Sequence, residues 1–183
     1  MADASVRPAA AADAPALAAV QIRAWLAAYA QVWPEPVLAE FARSEARFAE
    51  QWASAAVDPP AREHRVLVAC AGPTVVGGSA FGPASDDDVD PAVTGELFVL
   101  VVDPPERTVG HASRLLAATV DLLRGDGFTS ATAWVDATDD GLRGLLVESG
   151  WDTDGSHRAL DFAGDGALVV NQVRLHSDLR EDD

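Results

Sequence analysis

Apolar residues recur along this chain in two rhythms, and the switches between them mark out its elements. Val6 and Arg7 lie in a short strand over Ser5–Ala9, which Pro8 confines to a sheet edge or a strand end. Behind Asp13 as N-cap and Pro15 in the first turn, Leu17, Val20, Ile22, Trp25, Leu26 and Tyr29 repeat at helical spacing until Pro34 and Pro36 stop the run. A second helix carries Val37, Leu38, Phe41, Phe48 and Trp52 on one side, with Glu40, Arg43, Glu45, Arg47 and Glu50 mostly on the other. Asp58-Pro59-Pro60 ends it.

The rhythm turns to strand at Arg65. Arg65–Ala71, a Gly72-Pro73 turn and Thr74–Gly82 predict an antiparallel hairpin, because so short a connection allows nothing else. Asp86–Pro91 reads as an acidic loop; its spacing lacks the ligand pattern of a calcium loop, so a solvated loop is the expectation. Glu96–Val102 is nearly all apolar, as a central strand covered on both faces would be. Helical spacing returns over Ala112–Arg124 and closes at Gly125 and Gly127. Ser130–Val135 is a further strand, Asp139–Ser149 a short helix ended by Gly150, and Val169–His176 a last strand. The order predicts one α/β domain over residues 5–179, with residues 180–183 as a frayed acidic tail.

At 183 residues, 49% hydrophobic and 23% charged, the chain suits a single globular domain with its own core. No apolar run reaches the ~20 residues a membrane helix needs. Met1–Ser5 has neither a basic region nor a hydrophobic core, so no signal peptide is predicted and cytoplasmic residence is the expectation. The one cysteine, Cys70, excludes an internal disulfide and reads as a small core hydrophobe. All 13 basic residues are arginine, and the net charge of -16 argues against nucleic-acid binding, which needs a basic face.

The chemistry concentrates where the strand ending Val102-Asp103-Pro104 meets the helix beginning near Ala112. Main-chain N–H groups at a helix start have no partner within the helix, and with the helix dipole they form an anion site. Gly110 allows a positive φ or close approach of a ligand, Ala112 adds little bulk, and Arg107 supplies a charge suited to phosphate oxygens. Taken alone, the turn is equally a surface junction with an incidental arginine. A dinucleotide site fares poorly: the turn has one glycine where that fingerprint needs three, and no Gly-Lys-Ser/Thr loop is present.

Arg107-Thr108-Val109-Gly110-His111-Ala112 satisfies the cofactor signature [Arg/Gln]-x-x-Gly-x-[Gly/Ala], and the element order from Val6 to about Leu179 agrees with it. The chain thereby resembles the GNAT N-acetyltransferases. The resemblance implies a mixed, mostly antiparallel sheet of about seven strands flanked by about four helices and splayed between the fourth and fifth strands. It implies acetyl-CoA as acyl donor, an amine as acceptor and room for a homodimer. Carried over by position, the main chain of Leu100, Val101 and Val102 would pair the pantetheine arm beside a bulge in that strand. The amides of Thr108, Val109, Gly110, His111, Ala112 and Ser113 would hold the pyrophosphate. His111 would touch a phosphate or, the preferred reading, point outward from the first helical turn.

The family often carries Asn-x-x-Ala-x-x-Phe-Tyr before a Gly-Phe pair, its tyrosine acting as general acid on the leaving thiolate. Counting back from Gly150-Trp151 sets Asp139 at the Asn position, Leu142 at the Ala, Leu145 at the Phe and Leu146 at the Tyr. The resemblance therefore implies an acyltransferase without its usual acid, or an acyl-CoA-binding protein that has lost catalysis. Glu96 falls where related enzymes place a general-base glutamate, and otherwise is a strand-end carboxylate in solvent or one that orders the sheet through a hydrogen bond. Tyr29 is the chain's one tyrosine and so the only phenol available as a replacement acid. With Trp25 and Trp33 at fourfold spacing, it would line an acceptor groove or pack in the core.

Overall fold

A computed structural model describes residues 4–161 and 169–180. The chain enters as strand β1 (Ala4–Pro8) and continues through helices α1 (Ala14–Tyr29), α2 (Glu35–Ala42) and α3 (Glu45–Val57). Strands β2 (Arg65–Ala71), β3 (Thr74–Pro83) and β4 (Thr94–Val102) follow. Helix α4 (His111–Gly125), strand β5 (Ser130–Asp136), helix α5 (Asp140–Glu148) and strands β6 (Asp152–Asp161) and β7 (Val169–Asp178) complete the order. Arg180 forms no element, and residues 181–183 of the expected tail lie outside the described residues.

The strands form one seven-stranded sheet in the order β1-β2-β3-β4-β5-β7-β6. Only β4 and β5 run parallel; the other neighbours are antiparallel. Strand alternation sorts the side chains into two layers. Leu67, Ala69, Phe81, Leu97, Ala133 and Val135 meet α4 and α5, while Val66, Val68, Cys70 and Val101 meet α1 and α3. Cys70 is a buried member of the second layer. Two glycines set how close the helices come: a Cβ on Gly78 would lie 2.4 Å from Leu17 Cδ2, and one on Gly95 would lie 2.6 Å from Leu123 Cδ2. Each helix thus sits against bare backbone, from opposite faces of the sheet.

The second helix predicted over Val37–Trp52 is two helices. Its N–H donors shorten their reach at the junction: Ser44 N donates to Phe41 O, and the Ser44 hydroxyl turns back to Glu40 O at 3.0 Å. A serine that bonds its own preceding turn competes with helix propagation. The break lets Phe41 stack on Trp25 with centroids 5.2 Å apart, while Phe48 meets the same ring edge-on at 6.1 Å.

Candidate functional site

β4 and β5 pair from Thr94 with Ser130 to Leu97 with Ala133, and then part. The cause lies on the other side of β4. Its register against β3 passes from Ala80↔Val99 to Phe81↔Leu97, so Phe98 is an extra residue, a bulge that bends the strand. β5 continues alongside β7 to Asp136↔Gln172. Among the described residues, the β5-facing main-chain groups of β4 beyond the bulge have no strand partner, and unpaired groups of this kind are a template for an extended ligand.

After β4, Asp103 N is tied to Val76 O at 2.8 Å and its carboxylate to Arg23 at 2.6 Å. Pro104–Val109 forms a short helical turn, and Gly110 then adopts a left-handed conformation, φ 81° and ψ 17°, as N-cap of α4. That conformation is the reason for glycine here. α4 therefore begins with free N–H groups turned toward the split. The split deepens into a cavity of about 280 Å³. Leu100, Val101, Val102, Arg107, Gly110, Ala112, Ser113 and Asp139 line it together, although 39 positions separate Leu100 from Asp139 (139 − 100). Thr108, Val109 and His111 are not in the lining. In the α1 wall, Trp25 is one of the aromatics expected at a groove, whereas Ala24 and Ala28 have little signal beyond small size at fourfold spacing.

The outward reading of His111 is corrected. Its side chain is 1% exposed, with Nε2 3.8 Å from Glu106 Oε2 and Nδ1 buried without a hydrogen-bond partner among the described residues. His111, Leu115 and Thr119 share one helical face, all buried, so the inward orientation follows from fourfold spacing. On α5, Asp139 caps the helix by accepting from Leu142 N at 2.9 Å. Leu146 is fully buried in the core, and Leu145 faces the cavity instead. Both positions are aliphatic.

Tyr29 donates its phenol proton to Asp136 Oδ2 at 2.8 Å and stacks flat on Trp33, centroids 4.1 Å apart. Burial and the Asp136 carboxylate push the phenol well above its ordinary value. Glu96, 4% exposed, lies one pair before the split; its Oε2 accepts from Ser85 N and Ser85 Oγ, both at 3.0 Å. Its other oxygen has no hydrogen-bond partner among the described residues. Neither Tyr29 nor Glu96 lines the cavity.

The acidic loop is not simply solvated. Arg174 of β7, 6% exposed, binds Asp86 at 3.1 Å, Asp88 at 2.6 Å and Asp154 at 2.6 Å, and so pins the loop across the sheet. The Arg174 guanidinium holds the Asp88 carboxyl below its usual range. Burial works to raise the Asp154 carboxyl, and hydrogen bonds from Ser156 and Arg174 outweigh it. No group of His, Cys, Asp and Glu among the described residues could hold a metal ion, and no described helix is long and apolar enough to cross a membrane.

The profile of the family described as "Acetyltransferase (GNAT) family" matches residues 21–151. No curated protein matches the chain. Among solved structures, the PaiA N-acetyltransferase of Thermoplasma acidophilum in complex with coenzyme A superposes with a TM-score of 0.75 at 15% identity, over 96% of this chain and 99% of that one. An N-acetyltransferase of Staphylococcus aureus Mu50 gives 0.68 at 18% identity, over 97% and 99%. The ribosomal-protein-S18-alanine N-acetyltransferase of Escherichia coli gives 0.66 at 15%, over 99% and 97%.

Proposed function

The chain belongs to the GNAT acetyltransferase family, and on that premise we propose that its split sheet holds acetyl-CoA and that it moves the acetyl group directly onto an amine. One observation carries the proposal: a single cavity unites the free edge of β4, the glycine-started helix α4 and Arg107. The fit is supported residue by residue. Leu100, Leu142 and Leu145 give apolar walls suited to a slender pantetheine arm, and the unpaired main chain of Leu100–Val102 suits its amides. The amides that open α4, at Ala112 and Ser113, the dipole of α4 and Arg107 suit a pyrophosphate at the mouth, while Thr108 and Val109 lie within the preceding helical turn and off the lining. A side chain at Gly110 would narrow that approach and close to 3.4 Å from Arg114 Nη1.

When bound, acetyl-CoA supplies an acyl group activated as a thioester: an amine nitrogen bonds its carbonyl carbon, the C–S bond breaks and the thiolate leaves. The chain's residues orient and move protons. Main-chain N–H groups of β4 at the split would stabilise the negative charge that develops on the carbonyl oxygen. We assign Glu96 the proton lost by the amine, taken by its unpartnered oxygen directly or through water while Ser85 fixes the other. Tyr29 is a poor acid in this setting, because its proton is committed to Asp136. Its role in this reading is to close the α1 wall over the split. A thiol ionises at about pH 8.5, so thiolate can depart without a phenolic donor.

The leucines at positions 145 and 146 favour a second reading, a protein that binds acyl-CoA without turning it over. Incubation with acetyl-CoA and a panel of amines, following free thiol and identifying products by mass spectrometry, separates the two. Amine-dependent thiol release with an acetylated product supports transfer. Binding without release from any amine supports the second reading.

A further inference from the structure

Trp134 is the first β5 residue beyond the last β4–β5 pair, Leu97 with Ala133. Strand alternation puts it on the face shared by Thr132, and hence by the paired Glu96, on the opposite side from the α4 and α5 layer. This ring therefore lies on the face of Glu96, one residue past the point where β4 and β5 part, outside the lining of the cavity itself. Asp86 fixes it by accepting from Trp134 Nε1 at 2.8 Å.

Two guanidinium groups lie near that ring, and their circumstances differ. Arg174, its carbon 5.5 Å from the ring centroid, is fully engaged by three aspartates and Ser156. Arg158 lies closer, 4.3 Å from the centroid, and its Nε donates to Gln172 Oε1 at 2.7 Å. Its two terminal nitrogens have no partner among the described residues. Arg7, Arg23, Arg65 and Arg174 each reach a carboxylate, yet this half-buried one does not. Burial lowers the Arg158 pKa, with the Glu96 and Asp86 charges working against the shift. A cation has thus lost water without a carboxylate in contact with it among the described residues, which is costly unless a ligand supplies one. Trp134 and Gln172 fix the plane of the fork and leave its terminal N–H pairs open, the geometry that matches a carboxylate with two parallel hydrogen bonds.

We propose that Arg158 binds a carboxylate on the acceptor, so that this chain acetylates an amine that also carries an acid, as an amino acid does, and not a polycation. The inference rests on the transferase reading above. Glu96 and Arg158 then stand on one face of the sheet as opposite charges, one for the ammonium and one for the carboxylate. A polyamine would meet the unpaired cation.

The test uses matched probes: L-phenylalanine, L-leucine and L-aspartate, each beside its α-carboxamide, with spermidine as the polycation. Calorimetry on the full chain with coenzyme A present gives binding, and thiol release with acetyl-CoA gives turnover. The expected result is preference for at least one acid over its amide by about ten- to a hundredfold. R158Q should bring that acid down to the level of its amide, mainly through KM, with acetyl-CoA affinity and thermal unfolding unchanged. Equal use of acid and amide, preference for spermidine, no binding of any acid, or an acid preference that survives R158Q would each overturn the assignment. Arg158-dependent binding without thiol release would leave it standing and sink the transferase reading instead.

Discussion

Gly110 is the position where a small change should separate charge from shape. Its φ of 81° lies in the left-handed region, where asparagine and aspartate are the side chains most readily tolerated. Gly110→Asn and Gly110→Asp therefore carry nearly the same backbone strain, about 1 kcal/mol, and nearly the same volume. A Cβ there would lie 3.4 Å from Arg114 Nη1, the far end of a flexible side chain that can move aside. The variants differ in one negative charge at the mouth of the cavity. At a separation of about 5 Å, a unit charge opposes one phosphate charge by about 3 kcal/mol at an effective dielectric of about 20, and by about 1 kcal/mol in water. Gly110→Asp should accordingly bind acetyl-CoA about five- to a hundredfold more weakly than Gly110→Asn, with the gap shrinking as salt is raised. Both should unfold at similar temperatures, since aspartate and asparagine are equally good helix N-caps. Calorimetric titration at low and high salt reads this directly. Equal affinity of the two variants would refute the assignment of the pyrophosphate to the α4 start.

Glu96→Gln should lower kcat by about 10²- to 10⁴-fold while leaving acetyl-CoA affinity unchanged; an intact kcat across pH removes Glu96 as the base. Tyr29 keeps its proton in the folded chain above pH 10, where the unfolded chain loses it, so its contribution is complete below about pH 10 and declines as pH rises further. Thermal scans should show Tyr29→Phe with a flatter alkaline decline than the parent, and parallel curves would contradict the Asp136 contact. Arg174→Met leaves partly buried aspartates without their cation and should cost about 2–4 kcal/mol in denaturant unfolding. Faster amide exchange over Asp86–Asp90 should accompany it, and protection unchanged from the parent would show that the loop is held by other means.

The central strand, the turn and several cavity-lining positions are readable in the sequence because each depends on neighbours in the chain. Gly110 is needed by its own φ, and Asp139 caps the helix it begins. His111 was legible in principle, since its fourfold relation to Leu115 and Thr119 fixes its face. The pin from Arg174 to Asp86 and Asp88 was not, because it joins residues 88 and 86 positions apart and depends on which strands become neighbours. The same holds for Arg158 on Trp134, and for Ala24 and Ala28 as a cavity wall. The break at Ser44 turned on a side-chain hydrogen bond that hydrophobic periodicity does not register.

Whether the split sheet binds an acyl-CoA is the most direct test of the protein's function. Calorimetric titration of the full chain with acetyl-CoA should give one site per chain, with a Kd in the range of about 1 μM to 1 mM typical of enzyme substrates. Gly110→Asp should weaken it. An absence of binding at millimolar acetyl-CoA, with the chain folded, would contradict an acyl-CoA site in the split sheet.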